Sequence, residues 1–209
     1  MAKRVVILVG LSLMCVLHVK AQVLYGLKLS GGLAYQQVTN NAIESTGSVK
    51  TFNVTATTQV PLKYNFWLSA GIGIANKGSV VYENALTTST HLTYLELPVE
   101  ILRKFDFGST GKFYAGLGGY VAMGLKGKLD YETPGSSTTD IISYGKDNDV
   151  KKADAGINLL TGLELRNNLT FNIAYSFGLN NIASLPQQDS GTAVVKNRMF
   201  SIGLGYLFK

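Results

Sequence analysis

The chain has 209 residues, enough for one all-β barrel or sandwich, and neither an internal repeat nor a Pro-rich linker marks a second domain. Only 15% of the residues are charged, against about 25% in a typical soluble domain, while 23 glycines and 10% aromatics favour closely packed strands. The formal charge of +6 falls to +3 once a leader carrying Lys3, Arg4 and Lys20 is removed, which argues against a basic nucleic-acid-binding surface.

That leader is expected over residues 1–21. Lys3 and Arg4 precede the apolar run Val5–Leu17, which is too short for a spanning helix, and Val19-Lys20-Ala21 supplies small residues at −3 and −1 of a cleavage site before Gln22. Cys15 is preceded by Met14, where lipidation wants a small residue. Its removal would leave a mature chain of residues 22–209 without a thiol, which fits export to an oxidising envelope.

Beyond the leader, apolar residues recur with period two, the signature of strands with one apolar face. Eight strands are expected. The first, 24–35, sets Tyr25, Leu27, Leu29 and Leu33 against Lys28, Ser30 and Gly32; the second, 50–60, sets Phe52 and Val54 against Asn53 and Thr55. The third, 66–80, opposes Ile72 and Ile74 to Gly73 and Lys77. In the fourth, 91–103, Leu95, Leu97 and Val99 oppose Glu96 and Glu100, and Pro98 calls for a bulge or irregular pairing because it cannot donate to the ladder. The fifth, 112–126, alternates Leu117, Val121 and Leu125 with Gly118, Tyr120 and Lys126; the sixth, 153–165, alternates Ile157 and Leu159 with Asp154 and Glu164. The seventh, 169–179, reads "LTFNIAYSFGL", and the eighth, 196–208, ends on Tyr206 and Phe208.

Long polar connections (36–49, 81–90, 127–152, 181–195) alternate with short ones (61–65, 104–111, 166–168). Even strand number, short turns at one end and long loops at the other predict an eight-stranded antiparallel transmembrane up-and-down β-barrel of the outer-membrane type. The non-apolar face is built from Gly, Ala, Ser, Thr and Asn, a poor water-facing surface but a good filling for a narrow lumen. The apolar face therefore looks out to lipid. Tyr25, Phe66, Phe113, Phe171, Tyr206 and Phe208 form a girdle at the short-turn end, and Tyr35, Phe52, Phe177 and Phe200 form one at the long-loop end.

The segments "YLELPVEI", "GLGGYVAMGLKGK", "INLLTGLEL" with "FNIAYSFGLNNI", and the ending "KNRMFSIGLGYLF" resemble the small outer-membrane β-barrel proteins of Bacteroidetes labelled PorT-like. The resemblance covers essentially the whole mature chain. It implies an eight-stranded outer-membrane barrel without an assigned activity, a namesake being linked to type IX secretion. It supplies no catalytic or binding motif to carry over. Lys209 departs from the terminal aromatic of proteobacterial barrels, with Phe208 just before it.

Six charged residues share the inward phase: Lys28, Lys77, Glu96, Glu100, Lys126 and Glu164. Glu96 and Glu100 lie roughly 13 Å apart along one strand, too far to share a proton. Buried charges need partners, so the six are expected to form a structural lumen network. His91 with Ser89 lacks an orienting third group for nucleophilic catalysis, Asp140 with "DND" (147–149) lacks the spacing of a calcium loop, and the glycine clusters fit no nucleotide motif. No catalytic residue, metal or cofactor is expected. The expected function is a non-enzymatic, monomeric barrel in the outer membrane of a Gram-negative bacterium. Its partners are membrane lipid, the barrel-assembly machinery and an unidentified envelope protein. Loops 36–49, 127–152 and 181–195 would serve adhesion, envelope integrity or partner contact. The alternatives are transport or an accessory role in secretion, then a lipid-modifying enzyme.

Overall fold

The computed structural model describes residues 23–39, 46–83, 86–145, 150–183 and 194–208; the expected leader lies outside the described residues. Ten strands follow in chain order: β1 (Leu24–Thr39), β2 (Thr46–Gly47), β3 (Val49–Pro61), β4 (Phe66–Glu83), β5 (Leu86–Phe107), β6 (Gly111–Thr133), β7 (Ser136–Ile142), β8 (Ala153–Leu165), β9 (Leu169–Gly178) and β10 (Val194–Phe208). All ten belong to one sheet, ordered β2-β4-β3-β1-β10-β9-β8-β6-β5, with β7 on β6 and a further pairing between β4 and β5. Every strand pairing is antiparallel. The chain is thus an all-β sheet of the outer-membrane-barrel type. Each of the eight long strands has a hydrogen-bonded neighbour on both sides.

Period two makes these strands, and it also sorts their faces. Leu29, Ile72, Val99, Leu117, Ile173, Ile202 and Leu204 are exposed, whereas Ser30, Asn53, Ser69, Lys77, Glu96, Glu100, Asp154, Asn158 and Asn172 are buried. This inverts the order of a water-soluble domain, in which apolar side chains go inside. Tyr25, Phe52, Phe113, Phe171, Phe200, Tyr206 and Phe208 of the two expected girdles are exposed, and Phe105 and Phe107 extend the one at the short-turn end.

The three tight connections use left-handed residues: Tyr64 and Asn65 before β4, Gly108 between β5 and β6, and Asn168 between β8 and β9. Asn and Gly enter that region at low cost, which lets a strand reverse within three or four residues.

The other end differs from expectation. Residues 81–83, 86–90 and much of 127–152 are not loops, because β4 and β5 stay paired as far as Glu83 and Leu86, and β6 and β7 form a hairpin from Gly127 to Ile142. Above an apolar band, a strand needs no lipid-facing side chains. Thr-rich stretches such as "LTTSTHLT" keep high β-propensity while reading as polar, so polarity alone does not mark a loop there.

Pro98 interrupts the β4–β5 ladder, which skips from Ala70–Val99 to Gly73–Glu96 in unchanged register. The bulge lies four residues earlier in the chain: between Thr93 and Tyr94 the register on β6 jumps from Lys126 to Gly124, leaving Leu125 unpaired. Beyond it, Ile142 and Ile182 pack on Leu92, Tyr94, Tyr120 and Ala122 as an apolar cap over the polar interior. Ile182 is fixed there by backbone hydrogen bonds, its N–H to the Val195 carbonyl at 2.9 Å and its carbonyl to the Lys151 N–H at 2.8 Å.

Candidate functional site

The chemistry of the interior is concentrated in three polar clusters stacked along the strands. The first lies beneath the apolar cap. Lys77, 1% exposed, comes from β4; its Nζ lies 2.9 Å from Glu96 Oε2 and 3.1 Å from Asp154 Oδ2. It also sits 3.8 Å from the centroid of the Tyr120 ring, a cation–π contact in a dry setting. Asp154 Oδ2 accepts further hydrogen bonds from Tyr120 (3.2 Å) and Asn197 Nδ2 (3.0 Å). One ammonium thus joins β4, β5 and β8, with Tyr120 of β6 and Asn197 of β10 completing the shell.

Midway, Glu100 Oε1 accepts from Asn158 Nδ2 at 3.3 Å, and Asn158 Oδ1 accepts from Ser176 at 2.7 Å. Glu100 makes no ion pair among the described residues; it and half-buried Lys28 line a small cavity of about 30 Å³ with Gln59, Ser69 and Thr170. Toward the short turns, Lys104 Nζ donates to Glu164 Oε2 at 2.5 Å and Gln59 Oε1 at 2.7 Å, and lies 4.1 Å from the Trp67 ring centroid. A pocket of about 330 Å³ opens at that end, lined by Trp67, Asp106, Lys112, Glu164 and Arg166.

Of the six residues assigned to the interior from their phase, Lys77 and Glu96 meet, Glu100 and Glu164 find other partners, and Lys28 remains unpaired among the described residues. Lys126 is the correction. It is exposed, because the extra residue at Leu125 shifts the alternation by one and turns the following lysine out of the inward phase. Two members were missed. Asp154 lies on the inward face of the sixth expected strand but outside that set of six, and Lys104 falls in the expected short connection 104–111. Lys104 continues the even phase of Glu96, Glu100 and Leu102, so a longer fourth strand would have revealed it.

Outside the band, His91 Nε2 is 3.7 Å from Asp130 Oδ2, beyond hydrogen-bond reach. Asp130 is instead held by Lys128 and Thr139, each at 2.7 Å, and these hydrogen bonds keep its carboxyl below the ordinary aspartate range. Ser89 and His91 are joined by no hydrogen bond among the described residues. No group of three or more His, Cys, Asp or Glu side chains gathers as a metal site among the described residues, and "DND" (147–149) lies outside them.

An antiparallel sheet with apolar residues outside and a hydrogen-bonded polar filling defines a membrane β-barrel protein. Residues 21–184 match the family described as outer membrane protein beta-barrel domain, and the chain belongs to that family. It is a β-barrel protein of the bacterial outer membrane. Among solved structures it is similar to Neisserial surface protein A, with 13% identity, 88% of this chain and 97% of that one covered, and a TM-score of 0.46. It is also similar to Ail, the attachment invasion locus protein of Yersinia pestis, with 15% identity, 88% and 99% coverage and a TM-score of 0.40. The N-terminal β-barrel domain of Pseudomonas aeruginosa OprF follows with 8% identity, 88% and 97% coverage and a TM-score of 0.36. No curated protein matches the chain.

Proposed function

We propose that the protein is a monomeric, closed, eight-stranded barrel serving as a rigid, non-conducting anchor. It presents its tall hairpins at the cell surface for adhesion, envelope integrity or contact with an envelope partner. Closure is supported by following the register around the sheet. From Tyr25 it leads through Thr58, Ala70, Val99, Gly119, Ile157, Phe177 and Arg198 to Tyr35 of the starting strand, ten residues on. Ten residues of shear over eight strands correspond to a tilt of about 40°, inside the range of outer-membrane barrels. The short turns then face the periplasm and the hairpins face outward.

The observation that carries the surface role is the ordered continuation of β4–β5 and β6–β7 beyond the apolar band. There, Ser136, Ser137, Thr138, Thr139 and Asp140 are all exposed. A pore is disfavoured by the apolar cap and the paired interior charges, whose role here is to tie the wall together. Placement in the PorT-like branch rests on the quoted segments, and a secretion role would follow only from a partner.

The test is to purify the barrel from native membranes after crosslinking, with and without residues 128–141. The full chain should show heat-modifiable migration on SDS gels and capture an envelope component that the shortened hairpin loses. Recovery of the mature chain as a soluble periplasmic protein would refute the membrane reading. Identical captures from both forms would refute a role for the hairpin.

A further inference from the structure

We propose that the short-turn mouth of the barrel is a binding cup for a zwitterionic peptide end, in which a free carboxylate stands close to a primary amine. The pocket of about 330 Å³ lies within that mouth, and its size suits one or two amino-acid residues. The cup depends on the proposed orientation only for the compartment it faces, the periplasm.

The cup is closed below. Lys104, 3% exposed, donates to Glu164 and Gln59, and a level deeper Leu102, Tyr114 and Leu160 pack together beside Trp67. A ligand entering past the turns therefore meets a floor rather than a channel. That floor is fixed in advance. Lys104 Nζ holds Glu164 Oε2 at 2.5 Å and lies 4.1 Å from the Trp67 ring centroid, so carboxylate and indole are both oriented before anything binds.

Around the rim, charges of opposite sign alternate. Asp106 on β5 is the ladder partner of Lys112 on β6, which is in turn the ladder partner of Glu164 on β8. Arg166 follows two residues later, its backbone N–H held by the Thr110 carbonyl of the β5–β6 turn at 3.2 Å. Asp106, Lys112 and Arg166 make no ion pair and no side-chain hydrogen bond among the described residues, and Glu164 Oε1 has no partner there either. A ligand of one sign would meet a like charge beside each opposite one. A ligand carrying both signs satisfies both sets: its carboxylate against Arg166 and Lys112, its ammonium against Asp106 and Glu164. Trp67 is left to pack on the aliphatic carbons between them.

Trp67 is the only tryptophan of the chain, so its fluorescence reads the cup directly. The refolded mature protein should be titrated in detergent with N-acetyl-Ala-Lys, which carries both charges, with its C-terminal amide, and with N-acetyl-Ala-norleucine. The first should shift the Trp67 emission saturably. Each of the others lacks one charge and should bind at least about tenfold more weakly. Arg166→Gln should abolish the distinction between acid and amide, and Asp106→Asn that between lysine and norleucine, whereas Lys128→Gln at the far end changes neither. If Arg166→Gln loses its heat-modifiable fold, Lys112→Gln decides by the same comparison. Repeating the series with D- and L-lysine ends separates two sources of such a ligand: tighter binding of the D form assigns a cell-wall peptide, and of the L form a protein tail. Absence of a saturable shift, or equal affinity for the three probes, would overturn the proposal. In whole cells, Ser109→Cys should react with a membrane-impermeant maleimide only after the outer membrane is opened. Labelling of intact cells would overturn the periplasmic placement, a result separate from the titration.

Discussion

Lys77 on β4 and Asp154 on β8 meet at 3.1 Å although their strands are not neighbours in the sheet, so the pair bridges the interior rather than the wall. Removing the ammonium in Lys77→Met strands the Asp154 and Glu96 carboxylates in a dry environment. Breaking a buried pair this way costs roughly 3–5 kcal/mol. The urea midpoint of vesicle-inserted protein should fall accordingly, and an unchanged midpoint would show that the interior charges do not hold the wall. Wild-type protein in a planar bilayer should give no stable conductance steps.

Ile173 is 48% exposed on β9, opposite Thr161 and Ile202. Arginine at a lipid-facing midplane position costs about 2–4 kcal/mol, a large share of an ordinary domain's stability. Ile173→Arg should therefore impair insertion, whereas Thr138→Arg on the exposed β7 edge should fold like wild type. Equal denaturant midpoints for both would place the apolar face wrongly. Asn181 would be a poor control for this comparison, since its Oδ1 accepts from the Ala183 and Val195 N–H groups at 3.1 and 2.8 Å.

Gly118 and Gly119 are sequence neighbours with opposite surroundings. A methyl at Gly118 would collide with the Val99 carbonyl and lie 2.5 Å from Glu100 Cα, while at Gly119 the nearest atom is the Gly156 oxygen at 3.5 Å. Gly118→Ala should cost about 1–3 kcal/mol by overpacking. Gly119→Ala should be neutral or stabilise by about 0.4–1 kcal/mol through the unfolded chain. Thermal unfolding in the same detergent checks both, and matching losses would contradict the inward and outward assignments.

Asp130 ties β6 to β7 through Thr139, and its folded carboxyl titrates below the usual aspartate value because of hydrogen bonds from Lys128 and Thr139. A depressed acid stabilises the folded form above its unfolded pKa, and this contribution disappears as pH falls through the lower folded value. Amide exchange around Thr138–Asp140 should accelerate, relative to the intrinsic rate, below the ordinary aspartate range while the spanning strands stay protected. Asp130→Asn should remove that pH dependence. Its persistence in the variant would assign the effect to another group.

The eight long strands were legible because alternation is local: a residue's face follows from its neighbours at i ± 2. Lys77 and Glu96 were legible for the same reason. Lys126 was not, since a single unpaired residue reverses parity and no composition signal at Leu125 announces it. Asp154 illustrates a different limit. Its inward phase was readable, but its partner comes from a non-neighbouring strand, a relation set by the tertiary arrangement of the sheet rather than by any short sequence pattern. The hairpins were hidden by their hydrophilicity, which is what strands need once they leave lipid.

The ladder joining β1 to β10 has a kinetic meaning. Tyr25 faces Phe208 and Leu33 faces Phe200, so the strand made first awaits the strand made last. Contacts of such long sequence separation slow folding. Until β10 arrives, β1 carries a row of unsatisfied amides that the hydrocarbon would not tolerate. Insertion of β1 therefore waits for β10, and the apolar strands must stay shielded from one another until that seam can form.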